Sequence, residues 1–320
     1  MRTVDLLIVG AGPAGLSAAQ YAARSALSVL VVEMASVGGE MLNIDRLENY
    51  PGRGGDSGET LAGAMRAQAE EAGAEFVAGR VQSLAENGAG GFTLGFDDYR
   101  ETAASAGQIQ AGAVIIAAGA GRKRLGVPGE AELFGCGVSY CATCDGPFFK
   151  NKKIFVVGGG DAACDEARLL SRISPNVHLV HRRGVFRAQK AVAARVLDNP
   201  AVRVRFDTAL TGIKGDQKVE AVLLEDLKSG KASEERADAV FIFVGIVPRS
   251  ELAASAALKP CPVLDAAGFI VTDQCMATAA TGIFAAGDVR SSPFRQVVTA
   301  AGDGAIAAHS AAKYLEDRGR

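Results

Sequence analysis

The sequence predicts an α/β protein with two doubly wound, three-layer domains, the second inserted into the first. Two glycine-rich segments carry this prediction, because each follows an apolar segment typical of a buried strand and precedes a helical one. They read Gly-x-Gly-x-x-Gly at Gly10, Gly12 and Gly15, and Gly-x-Gly-x-x-Ala at Gly158, Gly160 and Ala163. The same order of elements in both halves indicates a duplicated βαβ unit.

The spacing around the two segments supports the duplication. Each unit is predicted to have a strand, a helix and a second strand, over residues 4–9, 13–25 and 27–32 in the first and 154–157, 161–172 and 177–180 in the second. From Gly10 to Glu33 is 23 residues (33 − 10), and from Gly158 to His181 is also 23 (181 − 158). Equivalent positions of the two units can therefore be compared directly.

The end of the chain does not form a third domain. Each unit closes on an apolar strand before glycine, at residues 114–118 and at 240–244, and the segment after residue 250 holds one clear strand (283–286) and one helix (297–315). Because this is too little for a core of its own, we expect it to pack on the first unit. The predicted domains are residues 1–121 with 250–320, and residues 122–249.

Composition excludes several classes of protein. Of 320 residues 48% are hydrophobic and 22% charged, and the net charge is −2, which disfavours nucleic acid or an anionic membrane as partner. No apolar run is long enough to span a membrane. The chain enters its first strand almost at once, which leaves no room for a signal peptide, so we expect a cytoplasmic protein.

Both glycine segments are suited to binding phosphate. Glycine lets the backbone approach a pyrophosphate, and the following helix presents unpaired N–H groups to it. Two such segments predict two Rossmann-like dinucleotide-binding domains, whereas a single one would also suit a tight turn without a ligand.

The ends of the second strands distinguish the two ligands. Glu33 can accept hydrogen bonds from a ribose 2′-hydroxyl and would repel a 2′-phosphate. The second unit instead has His181, Arg182 and Arg183, followed by Arg187. Their guanidinium groups suit a 2′-phosphate, although a solvated basic face is the alternative. FAD in the first site and NADPH in the second is the economical combination, because a flavin can accept hydride and pass electrons to sulfur.

Cys141 and Cys144 form a Cys-x-x-Cys pair, which closes and opens a small disulfide ring reversibly. Asp145 follows directly and is either an acid/base group or a turn or helix cap. Cys136 gives a rival interpretation, because its spacing to the pair is that of a plant-type 2Fe-2S site. We favour a small buried hydrophobe at Cys136 and expect no metal. The remaining cysteines are expected to be buried thiols: Cys164, Cys261 and Cys275.

Together these motifs resemble the low-molecular-weight thioredoxin reductases, which are FAD-containing pyridine nucleotide-disulphide oxidoreductases. The resemblance spans the whole chain in order and also includes Ala-Gly-Asp at 286–288 and Arg-Gln-Val at 295–297. It implies a homodimeric FAD enzyme that moves electrons from NADPH to thioredoxin and turns its NADPH domain against its FAD domain. Two other hypotheses remain: a reductase for a peroxiredoxin-type or other thioredoxin-like partner, and a nucleotide-bound redox sensor without turnover.

The resemblance also implies roles for single residues. Cys144 is the flavin-proximal thiol, Cys141 exchanges with thioredoxin, and Asp145 is their acid/base partner. The implied FAD contacts are Gly10, Gly12, Pro13, Ala14, Gly15, Glu33, Gly39, Glu40, Asn49, Ala118, Gly119, Gly287, Asp288, Arg295, Gln296 and Val297. The implied NADPH contacts are Gly158, Gly160, Asp161, Ala162, Ala163, His181, Arg182, Arg183, Arg187 and Gly245.

Two positions depart from the family pattern. Glu40 follows Gly38-Gly39 where the family often has Gln, and Ala118 precedes Gly119 where Thr is usual. Glu40 would place a negative group near the flavin, shifting its potential, or would be protonated if it were buried.

Overall fold

The computed structural model describes residues 2–88, 90–99, 105–254 and 258–319. It has two compact units, Met1–Gly121 with Val247–Arg320, and Arg122–Ile246. The predicted α/β architecture, with one unit inserted into the other, is confirmed. The chain returns to the first unit at Val247, slightly before the expected residue 250.

The described residues form sixteen strands and six α-helices. The strands are β1 Arg2–Val9, β2 Val29–Glu33, β3 Glu75–Glu86, β4 Phe92–Asp98, β5 Ser105–Ile116, β6 Ala120–Arg122, β7 Val138–Ser139, β8 Ile154–Gly158, β9 Val177–Val180, β10 Val202–Arg205, β11 Thr208–Lys214, β12 Ala221–Asp226, β13 Ala232–Arg236, β14 Ala239–Phe243, β15 Ile246–Pro248 and β16 Ile283–Ala285. The helices are α1 Pro13–Arg24, α2 Gly58–Glu71, α3 Ala142–Asp145, α4 Asp161–Ser171, α5 Lys190–Leu197 and α6 Val297–Glu316.

The first unit is built on a parallel sheet in the order β3-β2-β1-β5-β16. Its strands are apolar on both faces, as buried parallel strands are. In β1, Leu6 and Ile8 pack into the core that contains α1 and α6, while Val4 and Leu7 pack into the core on the opposite side. That opposite side is covered by the antiparallel continuation of β3, β4 and β5.

The last segment of the chain completes the first unit. Strand β16 pairs with β5, and α6 packs along α1. The two helices approach so closely that a Cβ on Gly304 would lie 2.0 Å from the carbonyl oxygen of Ala14. Glycine within a helix is unfavourable by about 1 kcal/mol, so this contact explains why it stands there.

The second unit repeats the plan with a parallel sheet in the order β10-β9-β8-β14-β7. Helices α4 and α5 cover one face, and the antiparallel sheet β11-β12-β13 covers the other. In both units, therefore, antiparallel strands form the third layer that helices form in most doubly wound folds. Both glycine segments lie at the carboxyl ends of the parallel strands, where such sheets bind ligands.

Candidate functional site

The three glycines of the first fingerprint differ in what surrounds them. Gly10 has φ +103°, and a Cβ there would lie 2.4 Å from the carbonyl oxygen of Ala117. A Cβ on Gly15 would lie 1.9 Å from the carbonyl oxygen of Gly10. Both positions therefore need glycine for packing. Gly12 has no such conflict, because a Cβ there would meet no atom within 4 Å.

The second fingerprint has the same division. A Cβ on Gly158 would lie 2.4 Å from the carbonyl oxygen of Phe243 and 2.6 Å from Cβ of Ala163, whereas one on Gly160 would meet nothing within 4 Å. The middle glycine of each fingerprint thus faces open space in the described structure. A pyrophosphate that approaches the backbone closely would use that space.

The helices that follow present their first turns to the same space. Gly12 and Gly160 are the N-cap residues of α1 and α4, and neither helix has a side-chain cap. Pro13 occupies the first turn of α1, where its missing N–H matters least. The other N–H groups of these first turns are therefore left for an anion.

Glu33 lies at the end of β2 with its carboxylate turned toward the first fingerprint. Oε2 accepts the N–H of Ala11 at 2.6 Å, and Oε1 accepts the N–H of Ala35 at 2.8 Å. These bonds fix the side chain, and each oxygen keeps a lone pair that can accept a ribose hydroxyl.

His181 lies at the equivalent position of the second unit, and its side chain is buried against neighbouring residues. It is 6% exposed, its Nε2 lies 3.1 Å from the carbonyl oxygen of Val185, and its ring would lie 2.3 Å from a Cβ on Gly159. Burial, and then the charges of Arg187 and the two preceding arginines, lower the pKa of His181. The ring is therefore neutral at pH 7.

Arg182, Arg183 and Arg187 are exposed, and the described residues give none of them an ion-pair partner. Their segment is held against the fingerprint by the N–H of Arg187, which donates to the carbonyl oxygen of Gly159 at 2.7 Å. Asp161 accepts the backbone N–H and the side-chain Nε2 of Gln189 at 2.7 and 2.8 Å. The carboxylate at the start of α4 thus fixes the basic loop.

In the first unit, the structure brings several predicted FAD residues together. A Cβ on Gly39 would lie 3.4 Å from Cα of Gly12, and one on Gly287 would lie 2.8 Å from Cβ of Ala14. Both segments therefore border the first turn of α1. Asp288 directly follows Gly287 in a short 3-10 turn, Gly287–Val289.

A second group lies at the start of α6. The side-chain amide of Asn49 donates to Oε1 of Gln296 at 2.8 Å, across 247 residues of sequence. Gln296 is the N-cap of α6, which begins at Val297. The guanidinium of Arg295 lies 4.0 Å from the ring centre of Phe269, and its Nε is buried without a hydrogen-bond partner among the described residues.

The remaining predicted cofactor residues lie close to the strand ends. Ala118 borders the first fingerprint, because a Cβ added to Gly10 would lie 3.1 Å from its Cα. Gly119 and Gly245 have φ +68° and +128°, which favour glycine. Ala162 and Ala163 belong to the first turn of α4, and only Ala163 is buried.

Glu40 is exposed and not buried. One of its oxygens accepts from Nδ2 of Asn43 at 3.3 Å, and the other lies 3.9 Å from Nη2 of Arg249. A positive group therefore offsets part of its charge.

Two further residues of this site, Arg290 and Asp303, were not predicted from the sequence. Oδ2 of Asp303 lies 3.1 Å from Nη1 of Arg290 and accepts the N–H of Gly287 at 3.2 Å. The side chains of this ion pair are only 14% and 15% exposed. They hold the Gly287–Asp288 turn in place. Asp303 stands between two glycines within a helix, an unfavourable sequence that could have signalled a special contact.

The two cysteines of the Cys-x-x-Cys pair are joined by a disulfide, with their Cα atoms 5.4 Å apart. Cys141 is the N-cap of α3, and its sulfur accepts the N–H of Cys144 at 3.2 Å. Cys144 is exposed and Cys141 half-buried. Asp145 begins the following 3-10 turn without a side-chain capping bond, so the cap interpretation of this carboxylate is not supported.

Of the other cysteines, only Cys164 is buried as expected. Cys164 is buried, and burial, with the charges of Asp165 and Asp161, raises the pKa of its thiol to about 12. Cys136 and Cys275, however, are exposed, and Cys261 is partly so, because they lie in loops rather than on core faces. Within the described residues, no group of three potential ligands is close enough to hold a metal ion.

The sequence matches the family described as pyridine nucleotide-disulphide oxidoreductase over residues 4–304. The chain belongs to this family. Among relatives of this oxidoreductase, thioredoxin reductase of Treponema pallidum (strain Nichols) is 48% identical over 313 residues, 98% of this chain and 97% of that protein. Thioredoxin reductase of Bacillus subtilis (strain 168) is 42% identical over 317 residues, 99% of this chain and 96% of that protein.

Solved structures agree with the sequence relatives. The crystal structure of Lactococcus lactis thioredoxin reductase superposes on this oxidoreductase with a TM-score of 0.91 at 37% identity, covering 98% of this chain and 99% of that one. The resemblance to low-molecular-weight thioredoxin reductases is therefore confirmed over the whole length of the chain.

Proposed function

We propose that this protein is an NADPH-dependent thioredoxin-disulfide reductase with FAD in its first unit and NADPH in its second. One observation carries the proposal: the Cys141–Cys144 disulfide lies in a chain whose two units each have a fingerprint with its middle glycine facing open space. The full-length similarity to thioredoxin reductases supports the same conclusion.

The first unit fits FAD. Gly12 and the uncapped first turn of α1 would take the pyrophosphate, and Glu33 would accept the adenosine ribose hydroxyls. Gly39 and Gly287–Asp288 border the same turn. Arg295, whose buried Nε has no hydrogen-bond partner in the described part of the chain, and the Asn49–Gln296 pair would contact the flavin end.

The second unit fits NADPH. Gly160 and the first turn of α4 would take the pyrophosphate. Arg182, Arg183 and Arg187 would bind the 2′-phosphate, because no residue that the structure describes forms an ion pair with their guanidinium groups. His181, as a buried neutral ring, would pack against the basic loop and hold it in place. Asp161 would act by holding Gln189, since its carboxylate would repel the phosphates directly.

The cofactors, when bound, supply hydride transfer from NADPH to FAD and a two-electron path to the disulfide. The protein supplies the sulfur chemistry. Once the disulfide opens, the N–H of Cys144 stabilises a thiolate on Cys141. That thiolate attacks the disulfide of thioredoxin and forms a mixed disulfide, which Cys144 then resolves. Asp145, next to Cys144 and without a capping role, would exchange the proton of the dithiol.

The protein is also proposed to be a homodimer. Three large apolar side chains on α1 and α6 are 37–51% exposed: Tyr21, Val298 and Ile306. A second copy that covers them would remove this apolar surface from water. A cytoplasmic location fits the reducing environment that a free dithiol needs. No helix of the described residues is long and apolar enough to cross a membrane.

The proposal is tested by assaying disulfide reduction with the purified protein, NADPH or NADH, and each thioredoxin of the source organism. We expect a yellow protein that NADPH bleaches more efficiently than NADH, and turnover with at least one thioredoxin. Cys141→Ser and Cys144→Ser should abolish turnover and leave flavin bleaching largely intact. Turnover that survives both replacements would refute the mechanism. Absence of turnover with every thioredoxin would favour a peroxiredoxin-type partner or a sensor.

A further inference from the structure

Glu130 is a buried carboxylate to which the proposed reaction gives no role. It is only 2% exposed and lies in the second unit, between the point where the chain enters that unit and the redox-active cysteines. A buried charge of this kind is unfavourable unless its surroundings satisfy it. Its partners therefore indicate what it is there to hold.

Four neutral donors satisfy this carboxylate. Oε1 accepts the N–H of Leu125 at 2.8 Å and the hydroxyl of Tyr140 at 2.5 Å. Oε2 accepts the N–H groups of Gly126 at 2.5 Å and Val127 at 3.3 Å. Although burial acts to raise the pKa of Glu130, the Tyr140 hydroxyl and the three backbone N–H groups lower it. The carboxylate is therefore ionised at neutral pH, and its bonds are charge-assisted.

Tyr140 directly precedes Cys141, so the hydrogen bond between its hydroxyl and the Glu130 carboxylate fixes the chain one residue before the disulfide. Burial and the neighbouring Glu130 raise the pKa of the Tyr140 hydroxyl, which therefore remains a donor. The next residue back, Ser139, is 2% exposed, and its Oγ accepts the N–H of Cys141 at 3.0 Å and lies 3.2 Å from the Cys141 carbonyl oxygen. Two consecutive side chains thus restrain the backbone of Cys141.

We propose that Glu130 and Tyr140 are positioning residues that hold Cys141 where its sulfur re-forms the disulfide with Cys144. A dithiol whose chain is already restrained loses less conformational entropy when the ring closes. The anchor therefore shifts the equilibrium toward the disulfide. The inference rests on the proposed exchange at Cys141.

The test is a redox equilibrium of the FAD-loaded protein with glutathione. Two glutathione thiols reduce the protein disulfide, so the Cys141–Cys144 bond breaks, the glutathione disulfide bond forms, and two electrons and two protons move to the protein. After acid quenching and alkylation, mass spectrometry of the peptide that contains both cysteines gives the equilibrium constant. The pH profile of Cys141 alkylation is recorded on the same samples.

Tyr140→Phe removes the hydroxyl and keeps both the ring and the Glu130 charge. We expect it to shift the equilibrium about fivefold toward the dithiol, because a hydrogen bond to a charged group is lost. Glu130→Gln should shift it in the same direction. Tyr314→Phe, which changes a tyrosine on α6 of the first unit, is the matched control and should leave the constant unchanged.

Three outcomes would overturn the inference. The first is a Tyr140→Phe variant whose equilibrium constant with glutathione equals that of the wild type. This includes the case in which only the thermal stability of the variant falls. A shift in Glu130→Gln alone would assign the effect to charge and not to positioning. A wild-type disulfide that neither glutathione nor dithiothreitol reduces would remove the proposed function as well, whereas normal exchange with unchanged variants removes only the inference.

Discussion

The backbone nitrogen of Cys144 lies 3.2 Å from the sulfur of Cys141 and donates its hydrogen to it. This contact stabilises negative charge on the Cys141 sulfur. Cys144 is the more exposed of the pair, so exposure alone would have assigned the attack on thioredoxin to the Cys144 sulfur. The hydrogen bond supports Cys141.

The first prediction follows from this contact. Cys144→Ser should accumulate a mixed disulfide through Cys141 with a thioredoxin that lacks its second cysteine and whose remaining cysteine carries a thionitrobenzoate group. The Cys141 thiolate displaces thionitrobenzoate, and neither protein has a thiol left to resolve the bond. Cys141→Ser should accumulate little. Non-reducing electrophoresis and intact mass measure the adduct. Equal or greater trapping by Cys141→Ser would assign the exchange to Cys144.

The second prediction concerns coenzyme choice. Arg182→Ala combined with Arg187→Ala should raise KM for NADPH by about a hundredfold, since each guanidinium contributes roughly 1.5 kcal/mol to a charge-assisted bond and each such loss is about tenfold. KM for NADH should stay within about twofold. Arg236→Ala is the control, because this arginine of the same unit has a side chain that is 83% exposed. Steady-state kinetics with both coenzymes measure these KM values. An unchanged preference for NADPH would contradict the assignment of the basic loop as the 2′-phosphate site.

The third prediction separates the packing glycines from the glycine that faces open space. Gly12→Ala should fold normally and bind FAD at least about tenfold more weakly, because the added methyl group occupies the space assigned to the pyrophosphate. Gly10→Ala should lose about 2 kcal/mol or more of stability, since its φ of +103° and the 2.4 Å contact are both unfavourable. Thermal unfolding of the apoprotein and a fluorescence titration with FAD measure the two effects. Normal FAD affinity in Gly12→Ala would place the pyrophosphate elsewhere.

The fourth prediction is a dependence of stability on pH. Burial, with a contribution from the charge of Asp165 and against that of Arg122, raises the pKa of Glu166 to about 7, and its Oε2 is buried without a hydrogen-bond partner among the described residues. The folded pKa lies above the unfolded one, so the ionised carboxylate opposes folding above about pH 7. This penalty disappears as the pH falls toward 4.5, the ordinary value.

Glu166→Gln should therefore raise the free energy of unfolding by about 2 kcal/mol at pH 8 and by much less at pH 5, as urea unfolding at both values would show. Glu220→Gln is the control, because Glu220 is exposed in the same unit. A gain that is equal at both pH values would mean that the charge of Glu166 is not its cause.

Local signals were enough to predict the two-unit α/β fold, since hydrophobic periodicity and glycine spacing are read from neighbouring residues. It also identified the disulfide pair, because both cysteines lie within one short segment. The strands predicted at 154–157 and 177–180 match β8 and β9 within one residue. Each of these features is determined by neighbours in the chain, so pattern alone was sufficient.

Which charged groups face which partners could be seen only in the folded molecule. It packed His181 as a neutral ring, paired Glu40 with Arg249, and placed Glu130 under the hydroxyl of Tyr140. Such contacts join residues that are distant in sequence or on different elements, and their sign depends on burial. Burial is set by the whole fold, which is why no local pattern of residues could give it.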